Sequence, residues 1–80
     1  MTNAEKYDWA FMEALELTED QLGPELTFES VETWDSVGHM GLIAELEDAF
    51  DIMMETDDII DFSSYSEGRR TLAANYGVEF

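Results

Sequence analysis

The run Trp34-Asp35-Ser36-Val37 places a serine hydroxyl where an irregular stretch gives way to an amphipathic helix. Such a position can anchor a covalent phosphate. The first amide N–H groups of a helix have no partners within it, and they stand at the positive end of the helix dipole, which favours an anion by roughly 0.3 to 1 kcal/mol. Asp35 is of the residue type that caps a helix start by accepting a hydrogen bond from a nearby backbone amide. The serine has no activating base. The lone His39 follows three residues later and, counted at about 100° per residue, faces the core side of the helix rather than Ser36. No other nucleophile and base, or acid and base, stand at a productive spacing, so no catalytic residue is assigned and the chain is not read as an enzyme.

The helix that must position this hydroxyl runs from roughly Ser36 to Asp51. Leu42, Ile43, Leu46, Ala49 and Phe50 fall on one side of it, the side that faces a core. A conventional amphipathic helix carries only charge on the other side, yet Val37, Met40 and Ala44 align there among Glu47, Asp48 and Asp51. This second stripe cannot share the first stripe's core. Beside a candidate modification site it reads as a surface for partners.

The remaining elements follow from the same periodicity. Ala4, Tyr7, Phe11, Ala14 and Leu15 share a face, which predicts a first helix over about residues 3–17. Thr18 to Trp34 carries Gly23-Pro24 and scattered Leu22, Leu26, Phe28 and Val31, so it reads as a long ordered loop with a short turn. Asp57 to Phe62 predicts a short helix with Ile59, Ile60 and Phe62 pointing inward. Ser64 and Glu67 match a capping box that opens a last helix, with Tyr65, Arg69, Leu72 and Tyr76 on one side and Gly77 just past its end. The expected fold is all-α: one domain spanning 1–80, a small four-helix bundle of three principal helices and one short one, with a long first loop.

Composition bounds the function classes. Eighty residues with 45% hydrophobic content suit one modest core, and a chain of this size buries only about 60% of the surface it exposes when unfolded. Twenty acidic residues against three basic ones give a formal charge of -17, which makes nucleic acid and anionic membranes poor partners and should loosen the fold at low salt. There is no cysteine, hence no disulfide or thiolate metal site. No basic start followed by an apolar run opens the chain, so the expectation is a soluble, cytoplasmic monomer without stable membrane insertion. Asp48, Asp51, Asp57, Asp58 and Asp61 suggest a calcium module, but no window supplies the alternating ligands, central glycine and closing glutamate of an EF-hand, and no metal site is assigned.

The segment Trp34-Asp35-Ser36-Val37-Gly38-His39-Met40, continued by Leu42-Ile43-Ala44-Glu45-Leu46-Glu47-Asp48-Ala49-Phe50, resembles the modification-site helix of acyl carrier proteins. Val37 replaces the leucine of that family's Asp-Ser-Leu signature. The likeness covers nearly the whole chain, in helix order, loop length and acidity. It implies that Ser36 receives 4′-phosphopantetheine from coenzyme A through a separate phosphopantetheinyl transferase, and that Asp35 helps present the serine. It implies further that the arm carries acyl or aminoacyl cargo as a thioester between loading enzymes, acyltransferases and synthases. Val37, Met40 and Ala44 would then form the apolar centre of a docking face, with Glu47 and Asp48, and at its margin Glu45 and Asp51, steering basic patches on those partners. Met40, with its pliant thioether, is the strongest candidate contact.

Several residues depart from the family pattern. Gly38 and Gly41 stand where many fatty-acid carriers bear acids, and each glycine weakens a helix by up to about 1 kcal/mol relative to alanine, so a mobile first turn is expected. Asp-Ser-Val-Gly is also similar to the Asp-Ser-Met-Gly of D-alanyl carrier proteins, which keeps an aminoacyl carrier of a dedicated pathway beside a fatty-acid role. His39 is the odd residue of the core-facing arc. It is either structurally satisfied or narrows and polarises the space between helices, favouring short or polar cargo. Arg69 and Arg70 read as local charge relief. A second class of reading, an acidic interaction module or nucleic-acid mimic with no covalent arm, would be indifferent to Ser36.

Overall fold

In the computed structural model, which describes residues 1–80, each long helix begins at a residue whose side chain supplies a missing helical partner. Helix α1 (Asn3–Leu15) opens on Thr2, whose hydroxyl accepts from the Glu5 amide at 3.1 Å while the Glu5 carboxylate accepts from the Thr2 amide at 2.8 Å. Helix α2 (Ser36–Phe50) is capped by Asp35, a short helix α3 (Thr56–Asp61) follows, and α4 (Tyr65–Tyr76) opens on Ser64, whose Oγ accepts from the Glu67 amide at 2.9 Å. The reciprocal half of the expected capping box at Ser64 is not formed. Glu67 turns instead to Arg70, 2.9 Å away.

The long helices also stop in one way. Glu16 (φ 55°), Asp51 (φ 53°) and Gly77 (φ 68°) each take the left-handed conformation just past a helix end. The next residue then donates its amide back to a carbonyl of the last turn: Leu17 to Met12, Ile52 to Glu47 and Val78 to Leu72. This motif stops α1 at Leu15, two residues short of the expected end, and tucks Leu17 into the core.

The bundle is all-α, without strands. The predicted faces of α1 and α2 meet in the main interhelical contact, and one apolar cluster includes Tyr7, Phe11 and Leu15 of α1, Leu42, Ile43 and Leu46 of α2, Phe62, and Leu72 of α4. The long first loop contributes Leu26 and Trp34 to that cluster. It contains the expected short turn, at Glu19–Gln21, and is pinned to the entry of α4 by two backbone hydrogen bonds, Phe28 N to Ser63 O at 2.8 Å and Tyr65 N to Leu26 O at 2.9 Å. One expectation fails in α3. Phe62 is buried and Ile59 half-buried, but Ile60 is 71% exposed, because adjacent residues of a helix are turned about 100° apart and a helix this short presents one narrow face to the core.

Two contacts across the core have measurable consequences. The ring of Phe62 lies where a Cβ on Gly68 would stand. Replacing Gly68 by alanine gains up to about 1 kcal/mol of helix propensity but displaces a buried ring, and overpacking costs about 1 to 3 kcal/mol. Gly68→Ala should therefore lower the urea midpoint of unfolding. The second contact involves two tyrosine hydroxyls. Tyr7 donates to the Tyr65 carbonyl at 2.6 Å, and Tyr65 donates to the Asp8 carboxylate. Burial pushes the Tyr7 hydroxyl far above the ordinary phenol range, and burial, then Asp8, pushes Tyr65 from 10.0 up to about 12. Between those values the unfolded chain has released phenolic protons that the folded chain keeps, so stability falls as pH rises. Denaturant midpoints should be level up to the ordinary phenol value of 10.0 and drop progressively toward about 12; a midpoint unchanged across that window contradicts this reading of the phenols.

Candidate functional site

Ser36 owes its place to its neighbours on both sides. Trp34, wholly buried and the largest side chain in the core, anchors the end of the loop, and its carbonyl accepts from Glu29 N at 2.9 Å. Two residues later the chain must turn outward into α2. Asp35 makes that turn by capping: its Oδ1 accepts from the Gly38 amide at 2.8 Å, and its carbonyl accepts the first helical bond, from His39 N, also at 2.8 Å. Ser36 and Val37 are left exposed at the head of the helix, and their amides donate to no other group of the protein. The hydroxyl is thus open to solvent beside unpaired donors.

Gly38 explains why the loop and the helix can meet so closely. A Cβ there would overlap the Thr33 carbonyl oxygen and crowd Leu15. The glycine that on propensity alone suggested a mobile first turn is a point of close backbone approach, held by the Asp35 cap. Gly41 has open space around it.

Beside Ser36 lies an open cavity of about 340 Å³, lined by Phe28, Ser36, His39, Met40, Ile59, Ile60, Phe62 and Ser63. It joins α2, α3 and the first loop. Its rim is formed by exposed residues and its floor by buried Phe62 and half-buried His39 and Ile59. His39 does face the core, where its Nδ1 accepts from the Trp34 indole N–H at 3.0 Å, yet it also borders the same cavity as Ser36. Helical periodicity does not outline this cavity; the space between helices expected beside His39 is the one part of it that the sequence suggests. Phe28, which follows no helical period in the sequence, and Ile60, which faces outward rather than into the core, both line it.

The second stripe of α2 is unpartnered. Val37 is 82% and Met40 58% exposed, and Ala44 is exposed with them. Among the acids of that face, Asp48 is exposed, while Glu47 is half-buried and its Oε2 accepts from the Met54 amide at 2.9 Å, which ties the turn after α2. Glu47 therefore has a structural bond that angular counting could not reveal. No group of three or more acidic or histidine side chains is placed to hold a metal ion, and no helix is long and apolar enough to cross a membrane.

Comparison with protein-family models, curated proteins and solved structures finds no match for this chain. The site stands on its own geometry.

The two glycines of α2 give opposite tests of that geometry. At Gly41, in open space, alanine should stabilise the protein by about 0.5 to 1 kcal/mol. At Gly38 the overlap with a backbone carbonyl should outweigh the same propensity gain and lower stability. Thermal or urea unfolding of Gly38→Ala and Gly41→Ala measures both; equal shifts in one direction would mean that Thr33 does not press on the helix start.

Proposed function

We propose that this chain is a carrier protein whose Ser36 bears a 4′-phosphopantetheine arm, attached from coenzyme A by a separate transferase. The observation that carries the reading is the exposed Ser36 hydroxyl at the first position of α2, between an apolar cavity and an unpartnered apolar stripe. The residues present fit the group. The hydroxyl is unobstructed, and the amides of Ser36 and Val37 are free to donate to a phosphodiester. Asp35 keeps the helix start in one conformation and so presents the hydroxyl reproducibly.

When bound, the group supplies a terminal thiol that can hold cargo as a thioester. The protein's own residues supply tethering and docking. Val37, Met40 and Ala44 offer apolar contact, and Asp48, with Glu45, Asp51 and the outer part of Glu47, steers basic partners by long-range attraction. The tether raises the local concentration of cargo at a docked enzyme, so the docking contact itself can remain weak and reversible. The resemblance to acyl carrier proteins in the Asp35-Ser36-Val37 run and the helix after it supports the same reading. Gly38 carries no weight toward aminoacyl cargo, since its contact with Thr33 accounts for a glycine there.

Intact mass spectrometry after incubation with coenzyme A and a broad-specificity phosphopantetheinyl transferase tests the proposal. One phosphopantetheinyl addition is expected on the wild type and none on Ser36→Ala. An unmodified wild type with several transferases, or equal modification of the variant, contradicts it and favours an acidic interaction module without an arm.

A further inference from the structure

The outer side of α1 leaves its largest side chain without a partner. Trp9 stands two residues after the core residue Tyr7 and is turned about 200° from it around the helix, so it joins no part of the core cluster and is 49% exposed. Its indole N–H, unlike that of Trp34, donates to no group of the protein. Two hollows flank the ring. One, of about 250 Å³, runs between α1 and α2 beside Lys6, Glu45 and Asp48. The other, of about 180 Å³, lies between α1 and the first loop beside Glu5, Asp8 and Glu19.

The groups around the ring select the chemistry of a partner. Five carboxylates and a single lysine border the two hollows, and that lysine makes no ion pair. A purely apolar segment seated there would strip water from carboxylates without pairing them, and an anionic one would be repelled. A cation over the indole face is instead attracted by the ring quadrupole. Arginine suits both features: its planar guanidinium stacks on an aromatic face while its N–H edge still donates to carboxylates, whereas a lysine ammonium is compact and strongly hydrated. Asp8 already accepts from the Tyr65 hydroxyl and Glu5 from the Thr2 amide. Glu19, Glu45 and Asp48 are exposed, and their carboxylates accept no hydrogen bond from the protein.

We propose that Trp9, with Glu19, Glu45 and Asp48 around it, is a docking surface for an arginine-bearing segment of a partner protein, one guanidinium stacking on the indole. The hollows on either side suit a segment with further basic residues flanking the stacked one. The inference does not rest on the carrier reading. Glu45 and Asp48 stand nine and twelve residues beyond Ser36, about 14 and 18 Å along α2, so the contact is centred well away from the Ser36 hydroxyl.

NMR titration of the unmodified, isotope-labelled protein with N-acetyl tetra-arginine amide, and with its tetra-lysine counterpart of equal charge, tests the surface. The Trp9 indole resonance should shift and saturate while that of buried Trp34 stays in place, and the arginine peptide should bind several-fold more tightly than the lysine one. Trp9→Leu should weaken arginine binding about two- to fivefold, the value of one exposed cation–π contact, and narrow the gap between the peptides. Neutralising two carboxylates of the site, Glu19→Gln with Glu45→Gln, should cost more affinity than Asp57→Asn with Asp61→Asn on α3, which changes the net charge by the same amount. Equal losses from the two pairs, equal binding of the two peptides, or a Trp9 indole that does not move would mean diffuse attraction to an acidic surface and overturn the proposal. A Trp9 resonance that shifts with protein concentration alone would assign the surface to a second copy of this chain and overturn it as well. None of these readouts involves Ser36, so they can fail while phosphopantetheinylation succeeds, and the reverse.

Discussion

Burial of Trp34 two residues before Ser36 is the constraint on which the site depends. An indole of this size, wholly enclosed, fixes the end of the first loop against the core, and its N–H must find an acceptor there because an unsatisfied buried donor costs about 1 to 3 kcal/mol. His39, one turn into α2, is that acceptor. The bond therefore joins the last residue of the loop core to the helix it precedes. The single residue between tryptophan and serine has only to turn the chain outward, and Asp35 does so with a cap whose contribution is about 0.5 to 2 kcal/mol. Gly38 lets the Thr33 carbonyl lie against the helix without a side chain between them. Exposure of Ser36 is in this sense a consequence of what is buried on either side of it.

The bundle divides its work between helices of unequal anchorage. Helices α1 and α2 form the main contact, whereas α3 buries no residue of its own and is tied largely by polar groups. His39 reaches the Ile59 carbonyl, the Tyr76 hydroxyl donates to Asp58 at 2.7 Å and accepts from Glu55 N at 2.7 Å, and Asn75 reaches Asp58 at 3.0 Å. These bonds place α3 over the cavity beside Ser36. They also meet a strongly acidic surface with few cations to offset it: Arg70 pairs with Glu67 across one helical turn, and Arg69 lies 4.8 Å over the Phe80 ring. An exposed pair of this kind contributes about 0 to 1 kcal/mol, so charge relief is local and the surface stays strongly acidic.

Helical periodicity made most of the architecture legible. The core faces of α1 and α2, the cap at Asp35, the cap at Ser64 and the unpartnered Val37, Met40 and Ala44 all follow from spacing and residue type. What spacing could not show is distance across the molecule. A glycine reads as weak helix former in sequence, yet Gly38 and Gly68 are close approaches to Thr33 and Phe62. Ile60 reads as core by hydropathy and lies outside because α3 has only one short inward face. Glu47 reads as a surface charge and spends one oxygen on the Met54 amide. His39 reads as an irregular core residue, and only the pairing of its two nitrogens shows that it ties α2 to Trp34 and to the Ile59 carbonyl of α3. Each miss concerns a partner distant in sequence or a helix end, where local pattern carries no information.

The central claim is that the oxygen of Ser36 is esterified in the living cell. The most direct measurement is fragmentation mass spectrometry of the protein isolated from cells that produce it naturally. The account predicts a phosphopantetheinyl group located on the peptide that contains Ser36, with or without cargo on its thiol. A chain recovered in full with that serine always bare, under conditions in which the protein is functioning, would contradict it.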